Sequence, residues 1–346
     1  MSEQGLHWVG LDVAKRTFDA AVACPGQRAT AATFKRLPVQ TFDRTREGVK
    51  ELVAWLRHHV PAQMPLPVRA VMEATGSYSI ELAALLCSEC PELRPSIANP
   101  ERTCAYRKSL GLRNKTDRMD ACALAFYGLE RQPDPYEPMS PAQAELRALS
   151  RCRDDFVETR KAHENQLAEG PKSAVVRKLL QKTVAHLNQT IETIENQMRN
   201  VIEGDETLRR DHQLLTTIPG VGFLTAAVVL AEFGDLRRFG RSRQIGAHAG
   251  MCASANESGE SVSPAHLSKK GSARVRQALY MAAMSARNFN PPLRNVYQRL
   301  IAHGKEPMVA LGAIMRKLLV LMRAIVISGI PFDACGKPKQ KTLETA

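Results

Sequence analysis

The order of apolar runs in the first 132 residues limits the fold more than any other feature of this chain. Runs at 8–15, 17–23 and 29–37 predict three strands in an antiparallel meander, with a turn at Pro25 and Gly26 before the third. Helical periodicity at 45–60 and 79–90 alternates with short strands at 68–73 and 95–98, and a last helix runs from about 116 to 132. The order βββαβαβα predicts an α/β sheet domain.

Four acidic residues on these strands and on the last helix are candidates for a shared site. Asp12 is on the first strand, Glu73 ends the fourth, and Asp117 and Asp120 share one face of the last helix. If the first and fourth strands are neighbours, Asp12 and Glu73 lie side by side, and the helix brings the pair to them. Four converging carboxylates are tolerable only around hard cations. Taken singly, Asp12 is also consistent with a turn-facing acid, Glu73 with a helix cap, and Asp117 and Asp120 with a solvated helix start behind the capping residue Thr116.

The middle of the chain differs in composition. Residues 133–141 are rich in Pro, Asp and Glu and predict a linker, and 142–169 and 173–203 predict two long helices broken at Gly170 and Pro171. Apolar residues recur at spacings of three and four in the second helix, which predicts a narrow stripe typical of a helical hairpin or coiled coil. Such a hairpin serves either as a brace or, as we expect here, for self-association.

Positive charge is concentrated in the last part of the chain. Residues 213–346 contain 18 Lys and Arg against 7 Asp and Glu, and this excess accounts for most of the net charge of +13. A polyanion, nucleic acid before membrane, is the expected partner. The eight cysteines form no framework and no secretory signal precedes them, so a reduced cytoplasmic protein is expected. The apolar run 306–329 contains three cations and predicts a core helix, and a disordered basic tail is expected at 335–346.

Two motifs in this basic part have a functional and a structural interpretation. The segment Ile218-Pro-Gly-Val-Gly222 between apolar helices is similar to a helix-hairpin-helix, in which Gly220 and Gly222 would let backbone amides approach a phosphate; alternatively they only form a tight turn. Ser258 lies in a small-residue loop upstream of cations that suit a phosphate, although alone it reads as a turn serine. These cations are Lys269, Lys270, Arg274 and Arg276.

Taken together, the motifs resemble one family. They are Asp12 with Lys15, Glu73-Ala-Thr-Gly76, Asn99-Pro100, Arg113-Asn-Lys-Thr-Asp-Arg-Met-Asp-Ala121, Ile218-Pro-Gly-Val-Gly222, Glu257-Ser-Gly259, Ser268-Lys-Lys-Gly271 and Arg276-Gln-Ala-Leu279. In this order they resemble the DEDD-type (Piv-like) insertion-sequence transposases, the bridge-RNA-guided serine recombinases. The resemblance implies an RNase H-like domain at 1–135, a coiled-coil dimerisation segment at 141–212 and a mainly α transposase domain at 213–334.

The resemblance also implies a chemistry. Asp12, Glu73, Asp117 and Asp120 would hold Mg²⁺, and Ser258 would attack a DNA phosphate to give a phosphoserine link and a free 3′ hydroxyl. The loop before Ser258, 251–256, departs from the family pattern because it lacks the proline that is usual there.

Partners are implied in the same way. Family members form tetramers from dimers on donor and target DNA duplexes, and a structured guide (bridge) RNA pairs with both. The expected location is the bacterial cytoplasm, at the nucleoid, with no membrane association. Lys15, Arg113 and Lys115 join the cations and glycines above as expected nucleic-acid contacts. Two other functions remain open: a Holliday-junction-type metal-dependent nuclease that does not use the serine, and a noncatalytic nucleic-acid-binding protein.

Overall fold

The computed structural model describes residues 5–60, 67–111, 116–254, 257–258, 261–262, 266–268 and 270–332 of the chain. The chain forms two compact units, Met1–Pro138 and Met139–Ala346. The described elements of the first unit are β1 (His7–Val13), β2 (Thr17–Ala23), α1 (Ala31–Arg36), β3 (Val39–Asp43), α2 (Arg46–His59), β4 (Val68–Glu73), α3 (Gly76–Glu89), β5 (Ser96–Ala98), α4 (Pro100–Ser109) and α5 (Asp117–Arg131).

The five strands form one mixed sheet in the order β3-β2-β1-β4-β5. Pairing is antiparallel from β1 to β2 and from β2 to β3, and parallel from β1 to β4 and from β4 to β5. The first and fourth strands are therefore neighbours, as the sequence argument required. In the parallel pair Leu11 lies opposite Met72, so Asp12 and Glu73 follow one residue later on adjacent strands.

Alternating side chains of each strand cover the two faces of this sheet. On one face Val9 and Leu11 belong to a core with residues of α2 and α3. On the other face Trp8 and Val71 belong to a second core with α1, α4 and most of α5. Because side chains alternate along a strand, Asp12 and Glu73 are on the α5 face of the sheet.

One predicted strand is wrong. The run 29–37, expected to be the third strand, forms the short helix α1, and the third strand is β3, which follows it. The cause is a reciprocal capping box, in which the side chains of Thr30 and Thr33 each bind the backbone nitrogen of the other residue. Helical spacing also buries Phe34 and Leu37 together in the core beneath α5.

The second unit is mainly helical. Its described elements are α6 (Pro141–Ala168), α7 (Ala174–Gly204), α8 (Glu206–Thr216), α9 (Phe223–Phe233), α10 (Ser242–His248), β6 (Ala253–Ser254), β7 (Glu257–Ser258), β8 (Ser261–Val262), β9 (His266–Leu267), α11 (Ala273–Phe289), α12 (Pro291–Ala302) and α13 (Pro307–Ser328). The four short strands pair as β6 with β9 and β7 with β8. Together with the first unit, this gives an N-terminal α/β domain followed by a mainly α region.

The two long predicted helices are present as α6 and α7. The apolar stripe of α7 is buried from Leu187 to Ile202, and its later part joins the core formed by α8, α9, α11 and α13. Near the start of α7, by contrast, Val175 and Leu179 are 69% and 59% exposed. The hairpin and the C-terminal helices thus belong to one compact unit, and the division at residue 212 stays a sequence-based prediction.

The strongly apolar run 306–329 forms α13, whose buried residues belong to the C-terminal core. Among the helices of the described residues, none is both long and apolar enough to cross a bilayer.

Candidate active site

The four predicted acids reach one place through three elements of the first unit. Asp12 is near the end of β1, Glu73 is the last residue of β4, and α5 starts at Asp117 over the same face of the sheet. The start of α5 is fixed by Thr116, whose side chain accepts a hydrogen bond from the amide of Met119, as its sequence predicted. The carboxyl ends of the parallel strands and the N-terminus of α5 therefore meet.

A glycine allows α5 to lie this close to the sheet. A Cβ atom at Gly10 would be 2.2 Å from the carbonyl oxygen of Ala121 and 2.2 Å from the amide nitrogen of Ala125. No larger residue fits between β1 and α5 at this point. Gly10 is two residues before Asp12, and Ala121 directly follows Asp120, so this contact determines how close the acids of the helix come to the acid of the strand.

Asp12 experiences the combined charge of the other acids. Its pKa is raised from 3.8 to about 6, first by burial and then by repulsion from Asp120, Asp117, Asp19 and Glu73. The structure therefore brings Glu73, Asp117 and Asp120 within electrostatic range of Asp12. Such a cluster is unfavourable unless positive charge enters it.

Asp19 is a fifth acid that sequence reasoning missed. It lies on β2 directly opposite Asp12 in the antiparallel pair, and the hydroxyl of Thr41 on β3 donates a hydrogen bond to it. The available signal was the tight hairpin between β1 and β2, which places residues equidistant from the turn opposite each other.

Two polar residues of α4 bind two of the acids, and neither was predicted. The hydroxyl of Thr103 lies 2.7 Å from Oε2 of Glu73, and Nη1 of Arg107 lies 2.6 Å from Oδ1 of Asp120. The Arg107 and Asp120 side chains are 26% and 17% exposed. No sequence pattern distinguishes these residues from others on a short polar helix, so only the fold reveals their role.

The donor set fits a hard divalent cation, because carboxylate oxygens are the ligands that Mg²⁺ and similar ions prefer. In the described parts of the chain, however, no three Asp, Glu, His or Cys side chains are arranged to hold a metal ion. In this conformation Asp120 faces the guanidinium of Arg107, and Glu73 faces Thr103. The acids are gathered, but two of them are engaged by α4.

The cations predicted to contact nucleic acid have varied surroundings. Lys15 is exposed just after β1, and its carbonyl oxygen accepts hydrogen bonds from Arg44. Lys270 is exposed before α11. Arg113, Lys115 and Lys269 lie outside the described residues.

The two arginines at the start of α11 have internal contacts. Arg274 forms ion pairs with Asp154 at 3.3 Å and Asp155 at 2.9 Å on α6. Arg276 donates hydrogen bonds through Nη1 to the carbonyl oxygens of Ala249 and Gly271. Both side chains therefore brace the second unit in this conformation.

The two glycines of the predicted hairpin motif differ. Gly220 has a φ of +100°, and a Cβ atom there would be 2.7 Å from the amide nitrogen of Ala286 on α11. Gly222 caps α9 with an ordinary φ of −90°, and a Cβ atom there would meet nothing within 4 Å. Gly220 thus has a packing reason to be glycine, whereas Gly222 has open space in front of a helix N-terminus.

Ser258 ends β7, where it lies opposite Ser261 of β8. Its side chain is outside what the structure describes.

Comparisons with known proteins agree with these features. Residues 9–170 match an IS110-type DEDD transposase domain, and residues 212–298 match the transposase IS116/IS110/IS902 family. Pilin gene-inverting proteins of Moraxella bovis and Moraxella lacunata are each 30% identical over 330 residues, which cover 94% of this chain and 97% of theirs. A transposase for insertion sequence element IS1111A of Coxiella burnetii is 27% identical over 244 residues, which cover 62% of this chain and 64% of that protein.

Proposed function

Because the chain belongs to the IS110/IS116 family of transposases and is thus an enzyme that acts on DNA, we propose that it is an RNA-guided DNA recombinase that excises and inserts its own mobile element. The proposed reaction is a metal-dependent, serine-mediated strand exchange. The observation that supports it most is the position of Asp12 among Glu73, Asp117 and Asp120.

The sheet supports an RNase H-like assignment for the first unit. Three antiparallel strands are followed by two parallel ones in the order β3-β2-β1-β4-β5, and Asp12 and Glu73 are at the ends of the two central strands. A DEDD-type transposase domain is typically metal-dependent, and we propose Mg²⁺ as the ion. Asp12, Glu73, Asp117 and Asp120 would hold it. When bound, the ion supplies Lewis-acid stabilisation of charge at a phosphate.

We assign the nucleophile to Ser258. Its Oγ would form a bond to phosphorus while the bond from phosphorus to the 3′ oxygen breaks. The hydroxyl proton leaves Oγ, and the departing 3′ oxygen becomes a hydroxyl. The product is a phosphoserine link that a second 3′ hydroxyl can later attack, which conserves the phosphodiester energy for strand exchange.

The partners complete the proposal. Donor and target duplexes are selected by a structured guide RNA, and dimers that assemble into tetramers hold both duplexes. The positive excess of residues 213–346 suits such phosphate backbones. The exposed start of the α7 stripe, at Val175 and Leu179, is a suitable surface for self-association. A cytoplasmic, nucleoid-associated location follows from the proposed substrate.

The test is a covalent protein–DNA adduct. The chain is expressed in bacterial cells with its flanking DNA, recovered under denaturing conditions, and assayed for attached DNA. Wild type is expected to give the adduct, whereas Ser258→Ala and Asp12→Asn are expected to lose it. Normal recombination by Ser258→Ala would refute the serine assignment. Cleaved ends with free 5′ phosphates and no adduct would instead select the junction nuclease.

The guide RNA has its own test in the same cells. The protein is purified under native conditions and the bound RNA is sequenced. One discrete structured transcript from the mobile element is expected, and salt-sensitive binding of RNA without any preferred sequence would refute guidance.

A further inference from the structure

A single face of α4 holds two of the acids. Thr103 and Arg107 are four residues apart, so their side chains project from the same face of the helix, one turn from each other. Thr103 contacts Glu73 on the sheet, and Arg107 contacts Asp120 on α5. This short helix therefore contacts the acid cluster both on strand β4 and on helix α5.

Several contacts fix α4 itself. Asn99 caps its first turn by accepting a hydrogen bond from the amide of Glu101. Tyr106, between the two contact residues, is buried and packs edge-on against Tyr127 of α5 at a centroid distance of 5.5 Å. Thr103 is also buried. The helix is therefore a rigid support, and its two polar contacts are determined by packing.

The two contacts differ in charge. Thr103 offers a neutral hydroxyl, which also has the carbonyl oxygen of Pro100 within 3.1 Å, but the Glu73 oxygen at 2.7 Å is nearer. Arg107 offers a guanidinium, which keeps its charge at every physiological pH. Arg107 therefore places a positive charge beside Asp120, one of the acids that repel Asp12.

We propose that Arg107 is a positioning residue that holds the Asp120 carboxylate while the site is metal-free and is exchanged for the divalent cation when the metal binds. Thr103 keeps Glu73 in place in both states. Two cations beside one carboxylate repel each other, so the guanidinium that contacts Oδ1 at 2.6 Å and the metal compete for Asp120. This inference rests on the metal site of the proposed function.

The exchange predicts an unusual result: removal of a residue beside the site strengthens metal binding. Titration of the full chain with Mn²⁺, followed by the electron paramagnetic resonance signal of the free ion, measures this affinity directly. Arg107→Met is expected to bind Mn²⁺ up to about fivefold more tightly than wild type, since a partly exposed ion pair contributes up to about 1 kcal/mol. Arg107→Gln, which also lacks the charge, is expected to change in the same direction.

Matched variants separate exchange from a general charge effect. Arg102→Met removes an equal charge from an exposed position of α4 and is expected to leave the affinity within about twofold of wild type. Thr103→Val is expected to weaken Mn²⁺ binding. Thr103→Ser, which keeps the hydroxyl, is expected to bind Mn²⁺ as wild type does. A value for Arg107→Met and Arg107→Gln equal to or weaker than wild type would overturn the exchange.

Asp12→Asn separates this inference from the proposed function. If wild type binds Mn²⁺ at a site that Asp12→Asn abolishes and the Arg107 variants are unchanged, only the exchange fails. If wild type shows no Asp12-dependent binding at all, the metal site fails and the exchange fails with it.

Discussion

The carbonyl oxygen of Ala121 lies 2.2 Å from the position that a Cβ atom would take on Gly10. Backbone thus meets backbone between β1 and α5, at the level where Asp12 and Asp120 approach each other. The relationship couples the stability of the α/β unit to the spacing of its acids.

Gly10→Ala is therefore expected to be doubly damaging. The added methyl group has to displace α5, which costs about 3 kcal/mol of unfolding free energy or more, and the displacement separates the acids and weakens Mn²⁺ binding. Urea unfolding and metal titration check the two effects. Gly5→Ala is the control, since a Cβ atom there meets nothing within 4 Å. An unchanged metal affinity in a folded Gly10→Ala protein would show that this contact does not set the acid spacing.

The two glycines of the Ile218–Gly222 turn are expected to respond differently. Gly220→Ala combines a positive φ with a close contact to Ala286 and should lose about 3 kcal/mol of stability. Gly222→Ala should lose less than about 1 kcal/mol. Urea unfolding checks both values.

DNA binding then distinguishes the two interpretations of this turn. If Gly222 admits a phosphate, Gly222→Ala should weaken duplex binding at low salt while the protein remains folded. Unchanged binding would leave the turn with a purely geometric role.

An ion pair that neutralises a buried carboxylate in the second unit is expected to be sensitive to mutation. Arg237 lies 2.7 and 2.6 Å from the two carboxylate oxygens of Asp211, whose side chain is only 4% exposed. Arg237→Leu leaves that carboxylate without its main partner and should cost about 3–5 kcal/mol. Adding Asp211→Leu should recover part of the loss, and exposed Arg238→Leu should lose less than about 1 kcal/mol. A double variant less stable than Arg237→Leu alone would contradict this explanation.

His248 is expected to make the second unit sensitive to acid. Its ring packs against Phe233 and Phe239, and the resulting partial loss of water lowers its pKa below 6.5; repulsion from Arg238 and Arg147 adds to this, while Glu232 acts against it. The folded protein therefore binds fewer protons than the unfolded chain, so stability is complete above pH 6.5 and falls as the pH decreases below it.

The measurement is thermal unfolding between pH 7.5 and 5.5. Because His248 is more than a third exposed, solvent screens the effect, and His248→Gln should flatten the decrease by a difference in slope well below about 1.4 kcal/mol per pH unit. Equal slopes for wild type and His248→Gln would show that the pKa of His248 is the same in the folded and unfolded states.

Much of the first unit could be predicted from its sequence, because the spacing of apolar residues and the turn signals at the ends of each run indicate the same element. The strands at 17–23 and 68–73 occupy the predicted residues, since each is a short apolar run between clear turn signals. The prediction of a strand at 29–37 failed because a short apolar segment suits either a strand or a helix. Here the capping box of Thr30 and Thr33 favours the helix.

The candidate site was predictable only in part. Asp12 and Glu73 are found at strand ends, where α/β sheets place ligands, so a sequence argument can select them. Thr103 and Arg107 take their roles from contacts with residues 30 and 13 positions away, and Asp19 takes its role from its place opposite Asp12, 7 positions away. No local pattern encodes a hydroxyl or a guanidinium that meets an acid on another element.

The burial of α5 has a consequence for how this enzyme would lose activity. From Ala121 to Gly128 every residue of the helix is buried, and a Cβ atom at Gly128 would already overlap the ring of Trp8. The first turn of α5, which carries Asp117 and Asp120, is thus the exposed end of a helix whose next turns are buried against the sheet. Heat or denaturant should therefore separate these acids, and remove the proposed activity with them, only in the same transition that unfolds the first unit.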